Sequence, residues 1–328
     1  MNFSLQSLWS RHPGGWSAID LHGGVFGVSV QLPRQAGEKP KVLQHVAYPQ
    51  QVADAAVLAQ MGRALSAHSF DVVTLLGRRD YQIFMVDKPA VRPDEVEGSL
   101  RLAVSTMLDY PSTEANLAWL DIPIRQTMGS RAPQLYAVVA KTELVNARAA
   151  LFDEAKMRLN AVDIREAAQR NISLLLETDK AATCLIFADA EGVQLTITHQ
   201  GELYLVRFIS EALLGAADAQ GQSTEPGVGQ GSAPLTEAID RLALEIQRSF
   251  DFIRRNYPAI TIDTLHVAPT PTGLGLAELL QKHLIEQVKP LDLSSIFELP
   301  AASDLSRPEV QAQYFHALGS ALRIQTKE

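Results

Sequence analysis

The sequence predicts an α/β fold made of two related lobes, each of which begins with a β-hairpin. Strand and helix patterns alternate through the first third of the chain. Residues 18–30 (AIDLHGGVFGVSV) form a strand–turn–strand pattern, and residues 184–197 (CLIFADAEGVQLTI) form a second one. A third strand pattern follows both hairpins, and this repeated layout indicates an ancient duplication of one architecture.

Composition narrows the classes of function. The chain has 328 residues, of which 46% are hydrophobic, enough for the cores of two ordinary domains. A net charge of −8 leaves no basic surplus for nucleic acid. Cys184 is the only cysteine, and the eight histidines show no HxH or HExxH spacing, so no disulfide or metal site is predicted. No apolar run reaches the ~18–20 residues that a membrane span needs.

The first half reads as alternating strands and helices. Asp94 and Glu95, just after Pro93, suit the beginning of a helix that runs to about Leu108. The predicted strands are 16–21, 25–32, 42–48, 71–76, 81–86, 117–124, 134–141 and 159–164, and the predicted helices are 52–68, 93–108, 141–157 and 166–177.

The second half continues with a third strand at 202–209. Residues 215–234 are rich in Gly, Ala, Ser, Gln and Pro, which predicts a flexible surface insertion. A long helix over 235–257 carries apolar residues at nearly 3.6-residue spacing. They are Leu235, Ile239, Leu242, Ile246, Phe250 and Ile253. A strand at 264–268 and helices at 276–284 and 308–323 complete the prediction.

Several stretches resemble one protein family along nearly the whole chain. They are residues 81–104, the AVDI segment 161–164, LALEIQRSFDFIRRNY (242–257), GLAELL (275–280) and YFHALGSALR (314–323). On these the chain resembles the type IV pilus assembly family of PilM and MshI, the latter from the mannose-sensitive haemagglutinin (MSHA) pilus system. The resemblance implies an actin-like ATPase fold, which is a duplicated ribonuclease-H-like fold, with an FtsA-type inserted subdomain.

The resemblance also implies a division of the chain. The first lobe, of type 1A, takes residues 1–79, 161–180 and 308–328. The inserted subdomain, similar to subdomain 1C, takes 80–160. The second lobe takes 181–307 and includes the flexible loop 215–234.

An actin-like nucleotide site needs a first hairpin with an aspartate, a glycine and hydroxyl residues. The PilM-like turn reads D-I-G-S-S-S, followed two places on by lysine. Here Asp20 remains, and Gly23 and Gly24 permit a tight turn. His22 stands at the expected glycine, while Gly24 and Val25 replace hydroxyl residues. The electrophilic and hydroxyl side chains are therefore missing from the first hairpin.

The other two elements of the site depart from the pattern as well. In the second hairpin, Phe187 stands where the family has an aspartate, and a register shifted by two residues offers Asp189 instead. Where adenosine would lie against Gly-Gly, the chain reads Ala-Pro-Thr-Pro over 268–271, with Gly273 and Gly275 following. We expect a vestigial cleft at Asp20, Gly23, Gly24 and Gly273. We expect no catalytic residue and no cofactor, with weak binding of ATP and Mg²⁺ as the alternative.

The leading hypothesis is a cytoplasmic scaffold, peripheral to the inner membrane through its partners. The resemblance implies binding of the cytoplasmic tail of a PilN-like inner-membrane protein, with a pilus assembly ATPase as a further partner. The alternative is a nucleotide-binding switch in pilus or secretion assembly. The tail is expected between the first lobe and the insert, where the candidate residues are Tyr81, Ile83, Val96, Leu100 and Val104.

Two features of this predicted groove depend on the helix at 93–108. Some of its apolar residues are expected in the core, and any that stay exposed would line the groove. Asp94, Glu95 and Glu97 would lie near the rim and favour a tail that carries Lys or Arg.

Overall fold

The computed structural model describes residues 14–35, 37–49, 52–124, 133–178, 181–210, 213, 232–301 and 303–323, with no side chains for 232–234. The predicted flexible insertion at 215–234 lies outside the described residues, except for its last three positions, which begin a helix. No helix within the described ranges is both long enough and apolar enough to cross a membrane.

Strands and helices follow the predicted order. The strands are β1 (Gly15–Asp20), β2 (Val25–Gln31), β3 (Lys41–Tyr48), β4 (Asp71–Leu75), β5 (Tyr81–Asp87), β6 (Ala115–Asp121), β7 (Gln134–Lys141), β8 (Leu159–Asp163), β9 (Ala181–Asp189), β10 (Gly192–His199), β11 (Glu202–Ile209), β12 (Thr261–Val267) and β13 (Gln287–Pro290). The helices are α1 (Ala55–Ala64), α2 (Val96–Val104), α3 (Thr142–Glu154), α4 (Arg165–Leu174), α5 (Ser232–Asn256), α6 (Leu276–Gln281) and α7 (Pro308–Ser320).

Two five-stranded sheets have the same topology. The first has the order β3-β2-β1-β4-β8 and the second the order β11-β10-β9-β12-β13. In each, the first three strands form an antiparallel meander, and the fourth and fifth join in parallel. The identical order confirms the predicted duplication into two α/β lobes.

A third sheet interrupts the first lobe. Strands β5, β6 and β7 lie between β4 and β8 in the chain and form an antiparallel sheet of order β5-β7-β6. Helix α2 covers one face of this sheet and packs there with the apolar residues of β7. We call residues 80–158 the insert. On the other face of the sheet, Tyr81 of the insert packs in one cluster with Ile164 of the first lobe. Tyr136 of the insert packs in another cluster with Leu203 of the second lobe.

The two lobes share one hydrophobic core. Helices α4 and α7 pack against each other, and α7 also packs on β1 and β2. Trp16 and Phe26 from the first sheet, Leu185 and Phe187 from the second, and Phe315 of α7 belong to the same buried cluster. Residues 291–305, which the sequence assigns to the second lobe, contribute to this cluster too. The predicted domain limits stay predictions.

Several elements differ from the sequence prediction in their bounds, and one strand was not predicted. Helix α1 ends at Ala64 because Ser66 adopts a left-handed backbone conformation (φ 51°). Helix α2 ends at Val104, before the predicted Leu108, and a single 3₁₀ turn at Pro93–Glu95 precedes it. Strand β13 is four residues long with two polar side chains, and no apolar pattern marks it in the sequence. The predicted stripe of α5 is buried along its whole length.

Candidate functional site

The first hairpin turn is built around Asp20. This aspartate ends β1 and is 6% exposed, and its carboxylate accepts a hydrogen bond from the backbone N–H of His22 at 3.0 Å. Gly23 (φ 65°) and Gly24 (φ 141°) complete the turn, and a Cβ at Gly24 would lie 2.7 Å from the backbone of Pro49. Burial raises the pKa of Asp20 above its ordinary value, although Arg165, His22 and Arg148 act to lower it. The Asp20 carboxylate therefore stabilises the turn that follows β1.

His22 fills the space beside this turn. An added Cβ on Gly77, in the loop after β4, would lie only 1.8 Å from the imidazole ring. The ring thus packs directly on the glycine backbone, with Nδ1 3.7 Å from the Asp20 carboxylate. Val25, at a predicted hydroxyl position, is fully buried in the core under α1.

Aromatic rings occupy the matching place in the second hairpin. Phe187 on β9 stacks on Phe315 of α7, with ring centroids 4.7 Å apart and planes 12° from parallel. His316 meets the same ring edge-on at 4.4 Å. All three side chains are buried. The position that needs an acid in the family pattern is part of an apolar contact between the lobes.

Arg165 joins the two lobes beside these rings. It is the first residue of α4 and is 8% exposed. Its Nη1 donates to the carboxylates of Asp189, at the end of β9, at 2.8 Å and of Glu191, in the β9–β10 turn, at 3.1 Å. Burial lowers the pKa of Arg165, but Asp189, Asp20 and Glu191 outweigh it and hold the pKa above its ordinary value. A permanent cation thus lies among three carboxylates.

The third predicted element lies after β12. Ala268, Pro269 and Thr270 are buried, and the N–H of Ala268 donates to the carbonyl of Ile186 at 2.8 Å. Gly273 lies in the exposed loop before α6 with a left-handed backbone (φ 60°). A Cβ on Gly273 would meet only Glu309, at 3.8 Å. Among the described residues, no group of three or more His, Cys, Asp or Glu side chains is arranged to hold a metal ion.

The buried ring of His316 predicts a pH dependence of stability. Burial, with Arg165 and His22 nearby, lowers its pKa well below the ordinary 6.5. As the pH falls through about 6.5, the unfolded chain takes up a proton that the folded chain does not, so folded-state stability falls. This residue contributes a slope of up to ~1.36 kcal/mol per pH unit.

The variant His316→Gln removes that proton uptake. Its stability is expected to fall less steeply than that of the parent between pH 7 and 5, measured by urea unfolding. Taking the difference between the two proteins cancels Asp20 and Asp163, whose pKa values burial raises and which act in the opposite direction. The exposed His68 is the control, and His68→Gln should keep the parent slope. Parallel curves for parent and His316→Gln would refute the assignment.

A second candidate site is a groove of about 640 Å³ between the insert and the first lobe. Residues 116–120 of β6 form one wall, and α4 forms the other. Apolar side chains from β7, β8, α3 and the neighbouring loops form its floor. The floor and the α4 wall comprise Leu76, Val138, Ala140, Val145, Val162, Ile164, Ala167, Arg170, Asn171 and Leu174, with Asp163 and Arg323 at one end.

The predicted partner residues are not the ones that line this groove. Val96, Leu100 and Val104 are buried in the core between α2 and the insert sheet. Tyr81 is 3% exposed, and its hydroxyl donates to Glu166. Ile83 packs at the contacts of the insert with both lobes. These three apolar residues of α2 therefore belong to the core, which is one of the two roles that the sequence analysis allowed for them.

The charges in the groove differ from the predicted acidic rim. Asp94 and Glu95 lie within 3.6 Å of Arg92, and Glu97 pairs with Arg101 at 2.9 Å. These acids are thus paired on their own segment, away from the groove. A second set of charges lies in the groove itself. Arg170 donates to the carbonyl of Gly201 at 2.7 Å, and Arg323 pairs with the buried Asp163 at 3.1 Å.

Comparisons with known proteins support the fold. No family model and no curated protein matches the sequence. A chain of the PilM–PilN type IV pilus biogenesis complex aligns over 95% of this chain and 98% of its own length, at 18% identity and a TM-score of 0.71. The chain therefore shares the fold of that protein, the actin-like fold that the resemblance implies.

Two other solved structures align less well. One is a Bacteroides thetaiotaomicron protein with an actin-like ATPase fold, at 10% identity and a TM-score of 0.48 over 93% of this chain and 97% of its own. The other is the cytoplasmic domain of EpsL, an inner-membrane component of the Vibrio cholerae type II secretion system, at 10% identity and a TM-score of 0.42 over 91% of this chain and 94% of its own. Both TM-scores are below 0.5, so the fold assignment rests on the PilM–PilN chain.

Proposed function

We propose that the protein is a non-catalytic scaffold of type IV pilus biogenesis, and that its groove between insert and first lobe binds the cytoplasmic tail of a PilN-like inner-membrane protein. The groove itself is the observation that carries this proposal. The fold shared with a chain of the PilM–PilN complex supports it. We place the protein in the cytoplasm, held at the inner membrane through this partner, and in an MSHA-type system.

The shape of the groove favours an extended peptide. Strand β6 lies at the end of the insert sheet, and β8 lies at the end of the first sheet. Five consecutive residues of β6 line the groove, and so do the last two residues of β8, Val162 and Asp163, with Ile164 that follows them. Since successive side chains of a strand point to opposite faces, an uninterrupted run means that the strand edge itself faces the groove. An open edge offers backbone N–H and C=O groups to an added strand.

The chemistry of the groove defines a preferred tail. Its floor is apolar, and its charged residues are Arg170, Arg323 and Asp163, a net charge of plus one. We therefore infer an extended apolar tail with a neutral or acidic end, in place of the basic tail that an acidic rim would favour. Binding should be micromolar, because the tail loses conformational freedom on docking.

We also infer that the cleft between the hairpins is degenerate. A magnesium nucleotide needs an acid where Phe187 stacks, a hydroxyl where Val25 is buried and bare backbone where Pro269 is buried. The acids of the shifted register, Asp189 and Glu191, are paired with Arg165. The residues in the cleft between the hairpins therefore do not fit a magnesium nucleotide.

The nucleotide test compares the protein with and without Mg·ATP. A ligand present at ~100 times its Kd adds ~2.7 kcal/mol of stability. We expect no rise in melting temperature with millimolar Mg·ATP and no phosphate release. Magnesium-dependent turnover that disappears in Asp20→Ala would contradict the proposal and favour the nucleotide-switch alternative. A pull-down of the tagged protein from membranes tests for an assembly ATPase as a further partner.

A further inference from the structure

Helix α4 presents two different faces to two different parts of the molecule. Arg165 and Gln169, one turn apart, point to the second lobe. Ala167, Asn171 and Leu174 lie on the face that lines the groove. Residues spaced by three or four share one side of a helix, so the two sets form separate faces. The same ten-residue helix thus contacts the cleft and forms a wall of the groove.

The contacts of α4 with the second lobe are polar and buried. Besides the two ion pairs of Arg165, Gln169 is fully buried, and its Nε2 donates to the carbonyl of Leu185 at 2.7 Å and to Thr196 Oγ1 at 3.0 Å. Asp189 uses its other oxygen to accept the N–H of Glu191 at 2.8 Å, which fixes the turn that Arg165 binds. Buried polar groups of this kind are costly to separate, because each needs its partner.

We propose that the Arg165 guanidinium links the two lobes in place of a bound magnesium nucleotide, so that lobe closure, and through α4 the shape of the groove, needs no ligand. In a nucleotide switch, the ligand bridges the hairpins and its release lets the lobes part. Here the bridge is covalently part of the first lobe. The link to the groove rests on the proposed function, whereas the link between the lobes does not.

The test measures the distance between the lobes in the full chain. Cys184 is the only cysteine and is buried, so introduced cysteines can be labelled selectively. Val52→Cys in the first lobe and Ile285→Cys in the second replace residues that are 87% and 98% exposed. Nitroxide labels at both sites report the interlobe distance by pulsed electron resonance. A single narrow distribution is expected for this labelled parent, with or without Mg·ATP.

Arg165→Ala in this background should broaden the distribution and move it to longer distances. Arg165→Lys, which keeps the charge but not the two-acceptor geometry, should restore it in part. The matched control is Arg79→Ala, because Arg79 is 3.7 Å from the same Glu191 but is 91% exposed. Melting temperature should fall by about 5 °C in Arg165→Ala and by less than about 1 °C in the control.

Glu191→Gln removes the charge of one of the two carboxylates on the second lobe that pair with Arg165. This variant takes the place of Arg165→Ala in the distance measurement if Arg165→Ala does not fold. An unchanged distribution in folded Arg165→Ala, or in both Arg165→Lys and Glu191→Gln, overturns the proposal. So does a distribution in the parent that narrows only when Mg·ATP is added. Tail-peptide affinity is measured separately, and an approximately tenfold loss is expected in Arg165→Ala. A parent that binds no tail refutes the proposed function alone, because the distance measurement uses no peptide.

Discussion

Replacing Ala118 with arginine is expected to weaken binding of the tail peptide about 100-fold, to the point where titration no longer saturates. Ala118 lies at the middle of the β6 edge, is exposed and lines the groove. A long charged side chain there occupies the space of the peptide, or is desolvated when the peptide binds, and either costs about 2.7 kcal/mol. The measurement is calorimetry with a synthetic tail of the PilN-like protein.

The control for this substitution is Leu102→Arg on α2. Leu102 is 75% exposed and lies outside the groove. An arginine at this position therefore adds the same charge to the insert without contacting the peptide. The variant should bind like the parent. Loss of binding in Leu102→Arg but not in Ala118→Arg would move the interface to α2, which carries three of the five partner residues predicted from the sequence. A tail methylated at alternate backbone nitrogens tests strand addition, and unchanged affinity of both methylated registers would exclude it.

The sequence predicts the order of strands and helices well, because each of these elements depends on a local pattern of residues. Apolar strands and small-residue turns identify the hairpins, and the stripe from Leu235 to Ile253 identifies α5. The duplicated layout follows from order alone. Strand β13 escapes prediction because its residues, Gln287–Pro290, contain a single buried side chain. Parallel pairing with β12, and not its own pattern, makes it a strand.

The functional surfaces are less visible in the sequence because they depend on contacts between distant segments. The α2 stripe of Val96, Leu100 and Val104 is indistinguishable in sequence from a binding face, but it covers its own sheet. Arg165 meets partners 24 and 26 residues away, which only the pairing of the lobes brings close. One signal was present. The sequence of helix α4 is rich in polar residues, including Glu166 and Gln169, and because the fold buries them they need polar partners on neighbouring elements.

The second large effect is expected at Phe187. The family pattern places an aspartate at this point of the second hairpin, and Phe187→Asp restores that residue type. In a working nucleotide cleft an acid here would be accommodated by water and metal. In this protein it would face Phe315 and His316 in the buried core shared by the lobes. The free energy of unfolding of this variant therefore distinguishes a cleft that retains a polar site from a cleft that has become part of the core.

We expect Phe187→Asp to lower the free energy of unfolding by about 4 kcal/mol or more, because it removes a stacked ring and buries a carboxylate among side chains that pack around an aromatic ring. Phe187→Leu is the matched control, since it removes the ring but keeps the site apolar, and it should cost about 1–1.5 kcal/mol. Urea unfolding at pH 7 measures both. A Phe187→Asp protein as stable as Phe187→Leu, and stabilised further by Mg·ATP, would show that the cleft still accepts a nucleotide and that the aromatic contact does not exclude it.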